Sequence, residues 1–129
     1  MLFLVLCVIS YLVGSIPVGK IVAHLKGVDI QHVGTGNIGA SNVYLTLGKK
    51  AALLVLIGDL GKAYVMMHIS LYYLPRPQAF AVGLFLLLGN LKSIFLSFTG
   101  GKGVATMLGI FLAAEPAAAF VLMLFWAVA

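Results

Sequence analysis

The order of apolar and polar positions divides the chain into five apolar runs separated by polar breaks. Met1 to Gly19 has no charged side chain, and with Lys20 to Leu25 this first run is long enough to cross about 30 Å of hydrocarbon as a helix. It lacks the basic leading segment and small-residue cleavage site of a signal peptide and reads as a retained span over residues 1–25. Gly14-Ser15-Ile16-Pro17 interrupts it. Pro17 removes a backbone donor and crowds the preceding turn, which predicts a kink. The carbonyls freed there need partners, so that face is expected to meet protein rather than lipid.

Residues 51–74 form the second span, and Pro75-Arg76-Pro77 ends it. Residues 78–96 form the third, with polar Asn90 and Lys92 towards its end, and residues 104–114 the fourth, short for a full crossing. Glu115-Pro116 reads as a turn with proline at a helix start. Residues 117–129 open a fifth run; thirteen residues do not cross a bilayer, so the chain is expected to be C-terminally truncated. The polar loops are 26–50 and 97–103, with an extended segment expected over Val28–Val33 and a helical turn over Asn42–Leu47. The predicted class is all-α: a polytopic transmembrane bundle forming a single domain of about four complete spans and an incomplete fifth.

Composition agrees. The 129 residues are 63% hydrophobic and 9% charged, against about a quarter charged in a soluble domain. The basic residues are scattered along the chain rather than gathered on one face, which argues against nucleic acid as a partner. Cys7 is alone, and His24, His32 and His68 lack metal-ligand spacing, so neither an internal disulfide nor a metal is expected. If the spans alternate, Lys20, Lys26, Lys49, Lys50, Lys92 and Lys102 fall on one side and Arg76 on the other. The lysine-rich side is the cytoplasmic one. Asp59 and Lys62 lie within a span at a spacing that lets them pair on a helix. They read either as a structural pair or as groups that line or brace a polar site.

Two polar stretches stand out from the apolar background. Gly34-Thr35-Gly36-Asn37-Ile38-Gly39-Ala40-Ser41-Asn42 combines glycines, hydroxyls and amides without charge, and Thr99-Gly100-Gly101-Lys102-Gly103 adds a fixed cation. Such turns expose successive N–H groups and form anion-binding nests. The first stretch fits the glycine spacing of a dinucleotide fingerprint, but that fingerprint requires a strand–turn–helix context, whereas here a span lies on each side. The second fails as a phosphate-binding P-loop because Gly103 stands where Ser or Thr is required. It still places free N–H groups, Lys102 and a helix start together, which suits a phosphate. Ser41, Ser93 and Ser97 have no neighbouring histidine, which disfavours triad-type hydrolysis. Transfer from an already activated donor needs only anion binding, orientation and stabilisation of an oxyanion.

Gly14-Ser15-Ile16-Pro17, Val28-Asp29-Ile30, the stretch Gly34 to Val43 with Leu47-Gly48-Lys49, and Phe98 to Thr106 closely resemble the bacterial acyl-phosphate:glycerol-3-phosphate acyltransferases of the PlsY type. The resemblance runs over nearly the whole chain. It implies a bacterial inner-membrane enzyme with cytoplasmic motif loops. That enzyme moves a fatty acyl group from acyl phosphate to the 1-hydroxyl of glycerol 3-phosphate, giving lysophosphatidic acid for phospholipid biosynthesis, with no cofactor and with membrane lipid around it. It assigns catalytic roles to Thr35, where the family usually has serine, and to Lys102. It assigns substrate binding to Gly34, Gly36, Asn37, Gly39, Ser41, Asn42, Gly100, Gly101 and Gly103. Leu45 stands where the family carries an arginine that contacts substrate, Asn90 where it has histidine, and Lys92 where it has an aromatic residue; a third motif supplying asparagine and histidine is absent. These departures imply slow turnover by this chain, or the alternative of a membrane protein that keeps the fold and anion-binding loops without turnover. A small transporter, suggested by Asp59 and Lys62, would leave both glycine-rich loops without a role. Single cysteines at Asn37 and Lys102 should react with a membrane-impermeant maleimide from one and the same face, and a cysteine at Arg76 from the other; labelling of Asn37 and Lys102 from opposite faces would contradict the shared-site reading.

Overall fold

A computed structural model describes residues 1–128, so Ala129, the last residue of the expected fifth run, lies outside the described residues. The described chain is all-α. Its helices are α1 (Leu2–Ser15), α2 (Val18–Leu25), α3 (Ala40–Leu47), α4 (Lys49–Tyr73), α5 (Arg76–Leu91), α6 (Val104–Ala114) and α7 (Pro116–Val128). Short 3-10 turns cover Ile30–His32 and Ile94–Leu96. Helix α1 packs along α5, α4 packs along α6, and α2 and α3 close over the start of α4.

The first two helices are halves of one apolar rod bent at Ile16–Pro17, as the sequence predicts. The carbonyls exposed by the bend are met by side chains. Lys62 Nζ donates to Gly14 O and Ile16 O, each at 2.9 Å, and Ser93 Oγ donates to Ser15 O at 2.5 Å. Lys62 also pairs with Asp59 at 3.1 Å, both side chains being largely buried. The pair is therefore structural in one respect, and it braces the bend through Lys62. Close backbone contact between α1 and α5 depends on Gly14, where a Cβ would strike the Leu86 carbonyl; small residues at such crossings let helices approach in a membrane.

Four expectations need correction. Two stretches, Leu2–Leu25 and Lys49–Tyr73, are long and apolar enough to cross a membrane. At about 1.5 Å per residue, α5, α6 and α7 are shorter, so two rather than the expected four of the described elements reach that length on their own. The expected third span, helix α5, stops at Leu91 rather than at residue 96. Ser93 N is bonded to Thr99 O, the Ser93 hydroxyl accepts from Phe95 N, and Asn90 O accepts from Gly101 N, all of which turn the chain away from helix. The second polar loop accordingly begins at residue 92 rather than 97. Val28–Val33 is not extended throughout: the Asp29 carboxylate accepts from Gln31 N and the Asp29 carbonyl from His32 N, winding Ile30–His32 into a 3-10 turn.

Arg76 ties the opposite end of the bundle. Its guanidinium donates to Ala114 O at 2.8 Å, pairs with Glu115 and lies over the Phe80 ring. Replacing Lys62 with Ala removes one partner of a buried pair and two carbonyl contacts at once, and is expected to destabilise the fold by about 3–5 kcal/mol. The double change Asp59→Leu, Lys62→Met should recover only part of this, because the Gly14 and Ile16 carbonyls stay unpartnered; unfolding midpoints in detergent micelles measure both.

Candidate anion and acyl site

One cavity of about 680 Å³ is lined by both glycine-rich stretches. From the first come Thr35, Asn37, Gly39, Ser41 and Asn42, and from the second Gly101, Lys102 and Gly103. The two stretches are brought together because α2 carries the first against the bundle, Gly19 lying directly under the Ile38 carbonyl, while Asn90 at the end of α5 holds the second through its carbonyl.

The loop before α3 is built around one side chain. Asn42 is fully buried. Its Oδ1 accepts from Thr35 N at 3.0 Å. Its Nδ2 donates to Ile30 O at 3.3 Å, Val33 O at 3.0 Å and Asn37 O at 2.8 Å. A carboxamide has two donors and one acceptor oxygen to offer, so these contacts engage both ends of it. The structure gives Asn42 the role of organising the loop. Asn37 Oδ1 accepts from Gly39 N at 2.8 Å, and Thr35 Oγ1 accepts from Asn37 N at 3.3 Å, which leaves the Thr35 O–H and the Asn37 Nδ2 donors for another partner. Upstream, exposed Asp29 pairs with His32 at 2.6 Å, and that hydrogen bond holds its carboxyl below the usual value.

Two helices begin at the cavity wall. Helix α3 starts after Gly39 and α6 after Gly103, and neither glycine has a side chain with which to cap its helix. Ala40 and Ser41 on one helix, and Val104, Ala105 and Thr106 on the other, line the cavity in the first turn, where backbone N–H groups have no intrahelical acceptor. Gly103 adopts φ +78, a left-handed conformation that glycine alone takes without strain. Two helix dipoles thus present their positive ends to one space. Lys102 and Lys49 add two charges. Leu45, Leu53, Leu56, Leu60, Leu108 and Met123 make up an aliphatic wall beside this polar end.

Three of the expected substrate-binding residues do not line the cavity. Gly34 and Gly36 serve the loop's shape at positive φ, and Gly100 is packed against the Asn90 and Leu91 carbonyls. Conversely, Lys49 and Thr106, which the motifs contain without a site role, line the cavity. Lys49 opens α4 after Gly48 and Thr106 lies three residues past Gly103, but only the packing of α3 and α6 against α4 brings them to one cavity. Asp59 lines the cavity as well as pairing with Lys62, so both readings of that pair apply.

Comparison with known proteins gives a consistent result. The family model described as glycerol-3-phosphate acyltransferase matches residues 4–129. A glycerol-3-phosphate acyltransferase of Geobacter sulfurreducens is 47% identical over 114 residues, which is 88% of this chain and 59% of the relative. One from Aquifex aeolicus is 40% identical over 125 residues, 95% of this chain and 65% of the relative. The chain thus spans about three-fifths of the length of the curated relatives it matches. Among solved structures, the crystal structure of PlsY, an integral membrane glycerol 3-phosphate acyltransferase, in its glycerol 3-phosphate form is 40% identical, with a TM-score of 0.93 over 98% of this chain and 64% of that one. The lysophosphatidic acid form of that enzyme matches with a TM-score of 0.90 at 39% identity, again over 98% of this chain and 63% of that one.

Truncating Asn42 to Ala should leave the Thr35 amide and three carbonyls without their partner. Amide exchange at Thr35 is expected to quicken by about tenfold, one hydrogen bond's worth of protection, as read by hydrogen–deuterium exchange in micelles; unchanged exchange across residues 33–39 would deny Asn42 its organising role.

Proposed function

The chain belongs to the glycerol-3-phosphate acyltransferase family, and on that premise we propose that it transfers a fatty acyl group from acyl phosphate to the 1-hydroxyl of glycerol 3-phosphate, releasing phosphate and lysophosphatidic acid. The observation that carries this reading is the meeting of two glycine-capped helix starts and two lysines with an aliphatic wall in one cavity. Both substrates are anions carrying a phosphate, and one of them carries an alkyl chain. A site with two anion-binding helix starts beside an apolar wall suits that pair better than it suits a soluble nucleotide or a peptide. The crystal structures it resembles are those of an enzyme in glycerol 3-phosphate and lysophosphatidic acid forms.

Lys102 and the N–H groups opening α6 would hold one phosphate, with Lys49 and the opening of α3 available to the other. The Thr35 hydroxyl and Asn37 amide donors face the same space and would orient glycerol 3-phosphate. Acyl phosphate is already activated, its phosphate being a good leaving group, so positioning and charge stabilisation supply most of what the reaction needs. Leu45 lines the cavity without contributing charge, which favours turnover slower than in relatives with arginine there. The lysine-rich side of the bundle, and with it the site, would face the cytoplasm from the inner membrane of a bacterial cell.

The test is reconstitution of the chain in phospholipid vesicles with acyl phosphate and radiolabelled glycerol 3-phosphate. Lysophosphatidic acid should form, and Lys102→Ala should lower its rate by about 10²-fold or more, the scale of losing one charged stabiliser. Binding of both substrates without product would instead favour the non-catalytic reading.

A further inference from the structure

We infer that a groove at the lysine-rich end of the bundle holds one phospholipid with an anionic headgroup, its phosphate on Lys20 and His24 and its acyl chains along Ile21 and Phe95. The groove encloses about 310 Å³ between α2 and the 3-10 turn after α5, and it shares no lining residue with the cavity described above. Its α2 wall has two edges. Lys20 and His24, one turn apart, form the polar edge, and Ile21 and Leu25, also one turn apart, form the apolar one. Positions spaced in this way share one side of a helix, while Gly19 and Ala23 on the other side are buried. Phe95 and Leu96 make the facing wall.

Depth decides what fills this groove. Measured along the helices, Lys20 and His24 lie about 27 and 33 Å from Leu2, on either side of the roughly 30 Å that hydrocarbon occupies. The groove therefore straddles the boundary between acyl chains and headgroups. Its surroundings agree, since Leu25, Ile94, Phe95 and Phe98 are all exposed, an apolar patch of the kind that marks a membrane contact. A lipid of the adjacent leaflet meets both edges at once, whereas a soluble anion meets only the polar one.

Charge decides which lipid. The chain has three acidic side chains, and each is engaged: Asp29 by His32, Asp59 by Lys62 and Glu115 by Arg76. The six lysines of the lysine-rich side, Lys20 among them, are left without an ion-pair partner among the described residues. Asp29, whose charge Lys20 feels, is bonded to His32 instead. Lys20 Nζ donates to the neutral Gln31 Oε1 at 2.6 Å, and an ammonium has two further donors to give. The His24 ring is exposed beside it and supplies an N–H in either protonation state. A phosphodiester accepts from both. A zwitterionic lipid brings the same phosphate with a cation attached, which the lysines repel, so the groove selects headgroups of net negative charge.

The test places a Phe95→Trp reporter in a Trp126→Phe background, the chain having one tryptophan, and reads quenching of its fluorescence by brominated phospholipids in vesicles. Brominated phosphatidylglycerol should occupy the groove about tenfold more readily than brominated phosphatidylcholine, the scale of one charge-assisted contact. Lys20→Met should cut that preference to about twofold. Gln31 also reaches Thr99 Oγ1 at 3.4 Å, so a change at Lys20 touches both glycine-rich loops; His24→Leu, which leaves that link alone, should lower the preference as well. Lys50→Met, which removes a charge of the same side outside the groove, should leave it unchanged. Equal quenching by the two lipids in the parent protein overturns the inference, because the groove is then an ordinary part of the lipid boundary. A preference retained in both groove variants, or lost as fully in Lys50→Met as in Lys20→Met, overturns it in favour of diffuse surface charge. Displacement of the brominated phosphatidylglycerol by millimolar inorganic phosphate overturns it in favour of a soluble anion. Each of these outcomes leaves the proposed acyl transfer standing, since the readout is lipid occupancy and not turnover.

Discussion

The architecture depends on how the break at Ile16–Pro17 is satisfied. A proline in a membrane-spanning helix frees carbonyls that lipid cannot solvate. Here Gly14 O and Ile16 O are met by Lys62 and Ser15 O by Ser93. Lys62 is affordable at that depth because Asp59 lies one turn earlier on the same helix. Three segments far apart in sequence, α1, α4 and the loop after α5, are joined at this one point. The bend in turn directs α2, and Gly19 on α2 seats the Ile38 carbonyl and the loop around it. A charge pair in the apolar core therefore governs where a neutral loop sits more than twenty residues from the proline.

The same logic explains how the site is divided. Residues that give the loops their shape are mostly not those that face the cavity. Asn42 spends its amide on the backbone of residues 30–37, Gly34 and Gly36 supply the turn, and Gly100 packs against carbonyls. What faces inward is a smaller set: Thr35, Asn37, Ser41, Lys102, Lys49 and the opening turns of α3 and α6. Motif density in a sequence thus marks both the scaffold and the ligand-facing groups, and only the hydrogen-bond pattern separates them.

Much of this was legible from the chain alone. The apolar runs, the kink at Pro17, a helical turn ending at Leu47, the helix start near Val104 and the Asp59–Lys62 pairing follow from periodicity and backbone chemistry that act locally. The end of α5 was less legible, because Ser93-Ile94-Phe95-Leu96 is apolar enough to read as helix while a bond from Ser93 to Thr99 holds it as a turn. Nor could composition separate an apolar helix that crosses a bilayer from a shorter one, since α6 and α7 are as greasy as α1. The place of Lys49 at the cavity was not legible because it comes from α3 folding back over α4, a tertiary fact. That of Thr106 was not legible either, because it comes from the packing of α6 against α4.

Glycine at both helix starts carries one more consequence. A serine or aspartate at position 39 or 103 would close its helix with its own oxygen, making the first turn complete in the free protein. With glycine, neither helix start is closed by its own cap side chain, and under the proposed function a bound anion would complete both. Occupancy and rigidity of the loops would then be the same event, and the folded state would gain on the unfolded one as the logarithm of ligand concentration. Under the proposed function, loop order would therefore rise and fall with the supply of phosphorylated precursor.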